Sequence, residues 1–450
     1  MSPNEMSLTV IISMFRSILP VLMCLSLITS GCQVIFPPGP STPTPRATST
    51  PVGRPATPTP VPAPALMPRG PITLTMWLPD SLVSPINAQA NAVLSQQLAA
   101  FVATRTDIRV QTQTKLAHGT GSLLELIQTA APVAPSFLPD VALLDLADVP
   151  AAVQAGLLQP VNDLVPADVL TDLFPFAEIG HVDNRWAAVA YVTDMEHLAY
   201  NSVRISSPPI TWAQVLSDTQ LLLFPAGTSS GMASDALLAQ YAAAGGSWLD
   251  ASGQPALSTA ALTLMLRQLQ DAEQAGWIST SVLNFTSADD TWTAYLGSPT
   301  QMVVVRASRF ISPRVFASVT LPAPLPGSSE PARSIARGWA LVVPTRDPAR
   351  MSAAASLVAW LASPENEAAW ARAANLLPAR RAAFDYWYPS EPYTTFARQE
   401  LERAIPPPSP QAVRVIGPAI QKAVADVLRG QLQPADAATA AAATVGRAPK

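Results

Sequence analysis

The chain is 450 residues long; 49% of its residues are apolar, 13% are charged, and its formal net charge is −4. This much apolar sequence is enough for one large or two medium-sized domains with buried cores. The basic residues form no stripe with interleaved aromatic side chains. Nucleic acid is therefore excluded as an expected partner.

The N-terminal part has the pattern of an export signal. Arg16 precedes an apolar run at residues 18–28, and the run ends at residues 29–32 (TSGC). The run suits a secretory signal and is shorter than the ~20 residues of a membrane span. Small residues directly before a cysteine resemble the lipobox of bacterial lipoproteins, in which the cysteine is lipidated, although Thr29 stands where the lipobox prefers leucine. The resemblance implies that Cys32 carries a lipid.

Residues 1–31 are accordingly expected to be a signal peptide of the lipoprotein type. The alternative is an ordinary signal peptide cleaved elsewhere, with Cys32 as a spare thiol, and Met6 or Met14 as the start of translation stays open. Cys24 would leave with the signal peptide. With Cys32 acylated, the mature chain would have no free thiol and no disulfide, so its stability would depend on core burial.

A proline-rich segment follows the predicted lipidation site. Residues 37–71 contain 13 prolines and no acidic residue. Such a composition cannot bury a core and favours an extended tether over residues 32–71. At ~3 Å per residue the tether could reach on the order of 100 Å. Together with the lipid, it would hold the remaining chain near a membrane.

From residue 72 the chain alternates between short strands and amphipathic helices. The predicted strands are 72–77, 108–113 and 140–145, and the predicted helices are 87–104, one beginning after Gly121, and 147–156. This alternation predicts a doubly wound α/β sheet, in which ligands bind beyond the carboxyl ends of the strands. Trp77 and Asp145 stand at two of these ends.

A second unit is predicted to begin near residue 178. Its strands are predicted at 185–192 and 198–201, and its helices from 211, at 233–244, 259–275 and 349–361; further strands are predicted at 301–305 and 339–343. We expect the strand at 301–305 to return to the first sheet. The Ala-rich run at 435–443 is compatible with a closing helix or with a frayed tail.

Short motifs along the chain stand in a recognisable order. They are residues 74–77 (LTMW), 139–145 (PDVALLD), 155–161 (AGLLQPV), 186–201, 211–212 (TW), 244–249 (AGGSWL), 338–341 (GWAL), 360–367 (WLASPENE) and 377–380 (LPAR). In this order they resemble the extracellular solute-binding proteins of ABC importers, in the sugar-binding class related to maltose-binding protein. Departures from that pattern occur at residues 298–302, 306–310 and 336–338, where a Gly-rich stretch is reduced to Ala-Arg-Gly.

The resemblance implies a two-lobed α/β fold of the periplasmic-binding-protein type. Each lobe would have a mostly parallel sheet flanked by helices, with the ligand cleft between the lobes. The implied boundaries are residues 72–177 plus 300–345 for the first lobe and 178–299 plus 346–445 for the second, with the chain crossing between them near 175–180, 296–302 and 340–350.

The resemblance also implies a function. The protein would be a monomeric, lipid-anchored, extracytoplasmic protein at a cell surface or in a periplasm. It would capture a small solute, a sugar or an oligosaccharide, by hinge closure and deliver it to an ABC permease in the membrane. No cofactor is implied.

Sugar binding sets chemical requirements that the sequence can meet. A sugar presents hydroxyl groups around a ring with apolar C–H faces, so it needs aromatic planes and paired hydrogen-bonding groups. The candidate ligand-binding residues are Trp77, Asp145, Tyr191, Asp194, Trp248, Trp292 and Trp339. For each aromatic residue the alternative is core packing, and for Asp145 it is a helix cap.

Catalytic and metal chemistry have little support. The three histidines, His118, His181 and His197, lack the spacing of a metal site. Asp194 and Glu196 are close in sequence, but no pattern marks either as a general acid or base. We therefore expect no catalytic residue and no metal. His118 lies in a Gly-rich loop that resembles a ligand-contact loop.

Two other functions stay open. The same fold could serve as a ligand sensor for a membrane receptor, and the departures at 298–302 and 306–310 leave room for that function. A secreted glycoside-active enzyme would need two carboxylates ~5–10 Å apart across a cleft, and the sequence has no motif for one. Arg306 and Arg309 would suit an anionic group or a solvated pair equally well.

Overall fold

A computed structural model describes residues 70–215, 221–227, 233–298, 302–311 and 319–447. The predicted signal peptide, Cys32 and the tether up to residue 69 lie outside the described residues. In the described part the strands are β1 (Ile72–Pro79), β2 (Ile108–Lys115), β3 (Val141–Asp145), β4 (His181–Val182), β5 (Arg185–Trp186), β6 (Ala188–Asp194), β7 (Glu196–Asn201), β8 (Leu222–Leu223), β9 (Met302–Arg306), β10 (Thr320–Ala323), β11 (Arg337–Val342) and β12 (Leu377–Pro378).

Most of the predicted helices form. The α-helices of the described part are α1 (Asp80–Val83), α2 (Ala88–Thr104), α3 (Leu123–Val133), α4 (Val149–Gln154), α5 (Ala167–Thr171), α6 (Trp212–Val215), α7 (Asp235–Ala243), α8 (Thr259–Gln274), α9 (Ala288–Gly297), α10 (Ala307–Phe310), α11 (Pro348–Leu361), α12 (Pro364–Ala373), α13 (Phe384–Trp387), α14 (Pro392–Arg403), α15 (Pro410–Leu428) and α16 (Pro434–Gly446). The Ala-rich run of the C-terminal region is thus helical, in α16.

Two helices of the second lobe begin where capping side chains satisfy free backbone amides. Ser234 caps α7 by accepting from the Leu237 amide, and Ser258 caps α8 by accepting from the Ala261 amide. Helix α8 then buries the apolar stripe Leu262, Met265, Leu266 and Leu269 against the core. The 3.6-residue spacing in the sequence therefore identifies the face of this helix that packs.

The first lobe is built on a six-stranded sheet with the order β12-β6-β11-β3-β1-β2. Strands β1, β2 and β3 are parallel, whereas β11 is antiparallel to both β3 and β6. Strand β6 therefore runs in the same direction as β3. As a result, the carboxyl ends of β1, β2, β3 and β6 meet the beginning of β11 at one edge of the sheet.

The second lobe is built on a four-stranded sheet with the order β10-β7-β9-β8. Only the β8–β9 pair is parallel, while β7 is antiparallel to both β9 and β10. The expectation of a mostly parallel sheet was wrong for this lobe, because β7 runs antiparallel to both of its neighbours, β9 and β10. Helices α7, α8, α15 and α16 enclose the hydrophobic core on one face of this sheet.

The observed lobes differ from the predicted boundaries in three places. Strand β6, expected in the second lobe, pairs within the first sheet. Strands β9 and β10, expected in the first lobe, pair with β7 in the second sheet. Helices α11 to α14, expected in the second lobe, contribute their buried side chains to the core around the first sheet. An apolar strand pattern does not specify which sheet the strand joins, since pairing depends on distant segments.

The chain consequently crosses between the lobes at other positions than predicted. The observed crossings are at Met195, in residues 324–336 and in residues 404–409. At the first of these a single residue separates β6 from β7. Among the described helices, none is long and apolar enough to cross a membrane.

Candidate functional site

The most chemically diverse group of side chains lies where the edges of the two sheets face each other. On the first sheet, Asp145 ends β3 and stands in register with Trp339 of β11. Arg337, at the start of β11, stands in register with Asp194 at the end of β6. Ligand sites of open α/β sheets are formed at such carboxyl edges. The edge of the sheet at which Asp145 lies therefore also carries Asp194, Arg337 and Trp339.

An aromatic and acidic cluster stands at this edge. The His118 ring stacks on the Trp339 indole with ring centroids 5.9 Å apart and an angle of 28° between the planes. His118 Nε2 lies 3.6 Å from Asp145 Oδ2, and 63% of the histidine side chain is exposed. Asp145 Oδ1 accepts from the Ala147 amide at 2.8 Å. Asp145 therefore caps the turn that follows β3, which is one of the two predicted alternatives, and its role as a ligand contact stays a prediction.

The loop that carries His118 depends on glycine. Gly119 and Gly121 have φ angles of 85° and 78°, a backbone conformation that favours glycine. The Gly121 amide donates to Glu125 Oε2 at 2.6 Å, which ties the loop to the first turn of α3. The glycines therefore allow the loop to turn back toward Asp145 and to hold the imidazole over Trp339.

The carboxylates of the first lobe have altered acidity. Burial raises the pKa of Asp145 above its usual range. Burial, together with the neighbouring Asp145, raises the pKa of Asp148 to about 6. The charge of Arg414, on α15 of the second lobe, opposes the increase for Asp148. Side chains from both lobes therefore determine the charge of this part of the cleft.

The facing edge of the second lobe is also charged. Glu196 Oε2 accepts from the Ala236 amide at 2.7 Å, at the N-terminus of α7. Burial raises the pKa of Glu196 to about 8. Arg306 Nε lies 4.0 Å from Glu196 and 3.9 Å from Asp289, and Asp289 also pairs with Arg309 at 3.1 Å. Both arginines therefore already have acidic partners, which disfavours the anion-binding alternative.

The arrangement suits a neutral, polyhydroxylated ligand. Trp339 and His118 offer a flat apolar surface, Asp145 offers an acceptor, and the imidazole can donate or accept. A few polar groups beside an aromatic wall are typical of small-molecule sites. No group of three or more His, Cys, Asp or Glu side chains suited to a metal ion occurs in the part of the chain that the structure describes.

A comparison with protein families agrees with this geometry. The family described as "Bacterial extracellular solute-binding protein" matches residues 96–395, more than half of the chain. The chain belongs to this family. A comparison with curated proteins found no match.

Solved structures show that this solute-binding protein has the fold of known two-lobed sugar-binding proteins. The cyclic α-maltosyl-1,6-maltose binding protein of Arthrobacter globiformis is 19% identical, with a TM-score of 0.67, over 84% of this chain and 98% of that chain. The sugar-binding protein MalE of Xanthomonas citri is 20% identical, with a TM-score of 0.67, over 83% and 96%. Maltose-bound MalE3 of T. maritima is 20% identical, with a TM-score of 0.61, over 83% and 99%. At these identities the likeness shows the fold alone.

Three predicted ligand contacts of the solute-binding protein, Tyr191, Trp292 and Asp194, have other roles in the structure. Tyr191 is fully buried and stacks on Trp370 at 5.2 Å. Trp292 is buried in α9, stacked on Tyr295 at 5.4 Å. Both were selected as aromatic candidates, but β6 is buried along nearly its whole length and Trp292 lies on the buried face of α9. They pack the core and do not reach the cleft.

Asp194 also has a different role from the one predicted. Its Oδ1 accepts from the Met195 amide at 2.9 Å and the Ser308 amide at 3.0 Å, and its Oδ2 accepts from Ser308 Oγ at 2.6 Å. Burial raises the pKa of this carboxyl. Asp194 therefore binds the first crossing to the segment after β9 and holds the hinge instead of the solute.

Trp77 and Trp248 are the two remaining tryptophans among the predicted ligand contacts. Trp77 is 7% exposed, and the Lys115 ammonium lies 4.8 Å from its ring centre. Trp248 lies in the loop after α7, beyond the C-terminal end of that helix. It lines a separate cavity of about 540 Å³ with Arg333. Trp77 stays a candidate at the end of β1, whereas Trp248 lies in the loop after α7, beside a different cavity.

The structure adds residues that the sequence reasoning did not select. Arg337 and Asp235 form an ion pair across the cleft, and Glu196 is buried beside them. One sequence signal pointed to Arg337, namely the arginine in a stretch where the resembling family is rich in glycine. Glu196 was noted in the sequence only as a neighbour of Asp194, and Asp235 had no sequence signal, because the proximity of these two residues results from the packing of α7 on β7.

Proposed function

We propose that this solute-binding protein captures a sugar or oligosaccharide outside the cytoplasm and delivers it to an ABC-type permease. The observation that carries the proposal is the stacked Trp339–His118 surface beside Asp145 at the carboxyl edge of the first sheet. The sugars bound by structurally similar proteins, such as maltose in MalE3 of T. maritima, support a saccharide. Cys32 would carry the lipid that holds the protein at the membrane.

Capture would proceed by closure of the two lobes. A solute stacked on Trp339 contacts the first lobe, and closure brings Glu196 and Arg414 of the second lobe toward it. A solute that contacts both lobes only in the closed state shifts the population toward that state. The closed form would then be the one that the permease recognises.

The first test is a thermal-shift screen of the mature chain against mono- and oligosaccharides, amino acids and polyamines. A solute at 100 times its dissociation constant adds ~2.7 kcal/mol to the free energy of unfolding. A saccharide hit supports the proposal. Stabilisation only by charged solutes would contradict a saccharide ligand. Stabilisation by none of the compounds would contradict solute capture.

Mutation of the stacking residue then locates the site. Trp339→Ala should weaken binding of the saccharide found in the screen by ~1–3 kcal/mol, because it removes the flat surface. Trp186→Ala is the matched control, since Trp186 stacks on His181 at 5.0 Å near the start of β6, at the opposite edge of the sheet. Equal losses of affinity by calorimetry in both variants would exclude Trp339 as the contact surface.

The lipid anchor has a separate test. Metabolic labelling with a fatty acid should mark the wild-type protein and should fail with Cys32→Ala, because acylation requires that thiol. Cys24→Ala is the control, since Cys24 lies in the segment expected to be removed. Label on the Cys32→Ala protein would contradict the anchor and leave solute capture untouched.

A further inference from the structure

An ion pair connects the two lobes at the base of the cleft. Arg337 Nε donates to Asp235 Oδ2, and Arg337 Nη2 donates to Asp235 Oδ1, each at 2.6 Å. Arg337 belongs to β11 of the first lobe, and Asp235 is the first residue of α7 in the second lobe. Because both oxygens of the carboxylate are used, the pair has the bidentate geometry of the stronger arginine–carboxylate contacts.

Each partner is fixed within its own lobe. The Arg337 carbonyl accepts from Thr193 Oγ at 2.6 Å, and the following Gly338 packs against the β6 backbone. Asp235 begins a helix whose next residues, including Leu237, are fully buried in the second core. The backbone of each partner is therefore held within its own lobe, so the ion pair joins one lobe to the other.

Arg337 is also surrounded by other acidic groups. Although burial alone would lower its pKa, the carboxylates of Asp235, Asp145 and Glu196 raise it. Asp145 comes from the first lobe, whereas Glu196 and Asp235 come from the second. Asp235 raises the pKa of Asp145 in the facing lobe, so these two acidic groups repel each other when both are ionised, and Arg337 offsets that repulsion. Arg337 thus supplies the attraction and also cancels a repulsion between the lobes.

We propose that the Arg337–Asp235 pair is an inter-lobe latch that sets the resting separation of the lobes before a solute arrives. The proposal rests on the solute-capture function described above. The latch favours the closed arrangement in the empty protein. Since a ligand's apparent affinity scales with the population of the competent state, the latch would change solute affinity by the same factor as that population.

The test measures the separation of the lobes in the absence of any solute. Spin labels are placed on exposed positions of the two lobes, Ala99→Cys in α2 and Gln274→Cys in α8, with Cys24 and Cys32 replaced by serine in the full chain. Pulsed electron–electron double resonance then gives the distribution of distances between the two spin labels. Because no solute is present, the result does not depend on whether the saccharide proposal is correct.

Single and double variants separate a latch from two independent residues. Arg337→Ala and Asp235→Ala should each lengthen the mean distance and broaden its distribution, and the double variant should do no more than either single one. The exchanged pair, Arg337→Asp with Asp235→Arg, should restore part of the shorter distance. Arg398→Ala is the control, since it breaks an exposed pair with Asp385 that lies within the helices of the first lobe.

Unchanged distances in both single variants would overturn the latch, and so would additive changes in the double variant. If an alanine variant does not fold by circular dichroism, Arg337→Lys and Asp235→Asn provide the same comparison. Each of these keeps the size of the side chain and loses the bidentate charged contact. If no compound in the screen binds but the distances between the lobes lengthen in the variants, the saccharide proposal is refuted and the latch is retained.

Discussion

His197 provides a quantitative prediction about stability and pH. The residue lies in β7, two positions beyond the crossing at Met195, and is fully buried. Its Nδ1 lies 2.9 Å from the Leu198 carbonyl, and its Nε2 lies 3.0 Å from the Tyr393 hydroxyl. Since a carbonyl only accepts, Nδ1 carries the proton and Nε2 accepts from Tyr393. The imidazole is therefore held in its neutral form.

Burial lowers the pKa of His197 to about 4, and the Leu198 carbonyl only partly offsets this. In the unfolded chain a histidine has a pKa of ~6.5. Between these two values the unfolded state binds the proton and the folded state does not, so stability falls as the pH falls. From about pH 7.5 to about pH 4.5 the loss amounts to ~2–3 kcal/mol.

The assay is urea denaturation at both pH values for the wild type and for His197→Gln. Glutamine does not titrate, so the difference in free energy of unfolding between the two proteins should shift by ~2–3 kcal/mol in favour of the variant at the lower pH. His181→Gln, at a partly exposed site, is the control. A difference between wild type and variant that is the same at both pH values would refute the burial of a neutral imidazole at the hinge.

Two further predictions concern packing around β6. Tyr191→Phe should raise the free energy of unfolding by about 1 kcal/mol in urea denaturation, because the buried hydroxyl has no hydrogen-bond partner among the described residues; a loss of stability would show that the hydroxyl is bonded. Gly338→Ala should lower the melting temperature, at a cost of ~1–3 kcal/mol, because the new methyl group would overlap the Val192 carbonyl. Gly297→Ala, where a methyl group meets no neighbour within 4 Å, is its control, and equal melting temperatures for both variants would contradict this reasoning.

Local patterns in the sequence predicted much of the candidate site's framework. The run of apolar residues before Asp145 predicted β3, and its carboxylate does stand at the cleft edge. Trp339 was selected from a strand motif and lies beside it. The strands were predictable because an apolar run and the residue at its end are properties of a few consecutive residues, whereas the role of Asp145 and Trp339 as ligand contacts stays a prediction.

The same reasoning failed for Tyr191 and Trp292. Strand β6 is buried on both faces, so its sequence lacks the alternation that would distinguish a core side chain from a cleft side chain. In the sequence, an aromatic residue of a buried strand or helix looks the same whether it packs in the core or contacts a ligand. Only its neighbours, Trp370 for Tyr191 and Tyr295 for Trp292, show that it packs.

The sequence by itself determined the secondary structure and the family, because helical periodicity, capping and motif order are short-range properties of the chain. The tertiary structure decided which sheet each strand joins and which charges meet. Strand β9 pairs with β7, about 100 positions earlier in the chain, and Arg337 is 102 positions from Asp235. Such contacts depend on how the whole chain packs, since no local pattern in either segment encodes the identity of its distant partner.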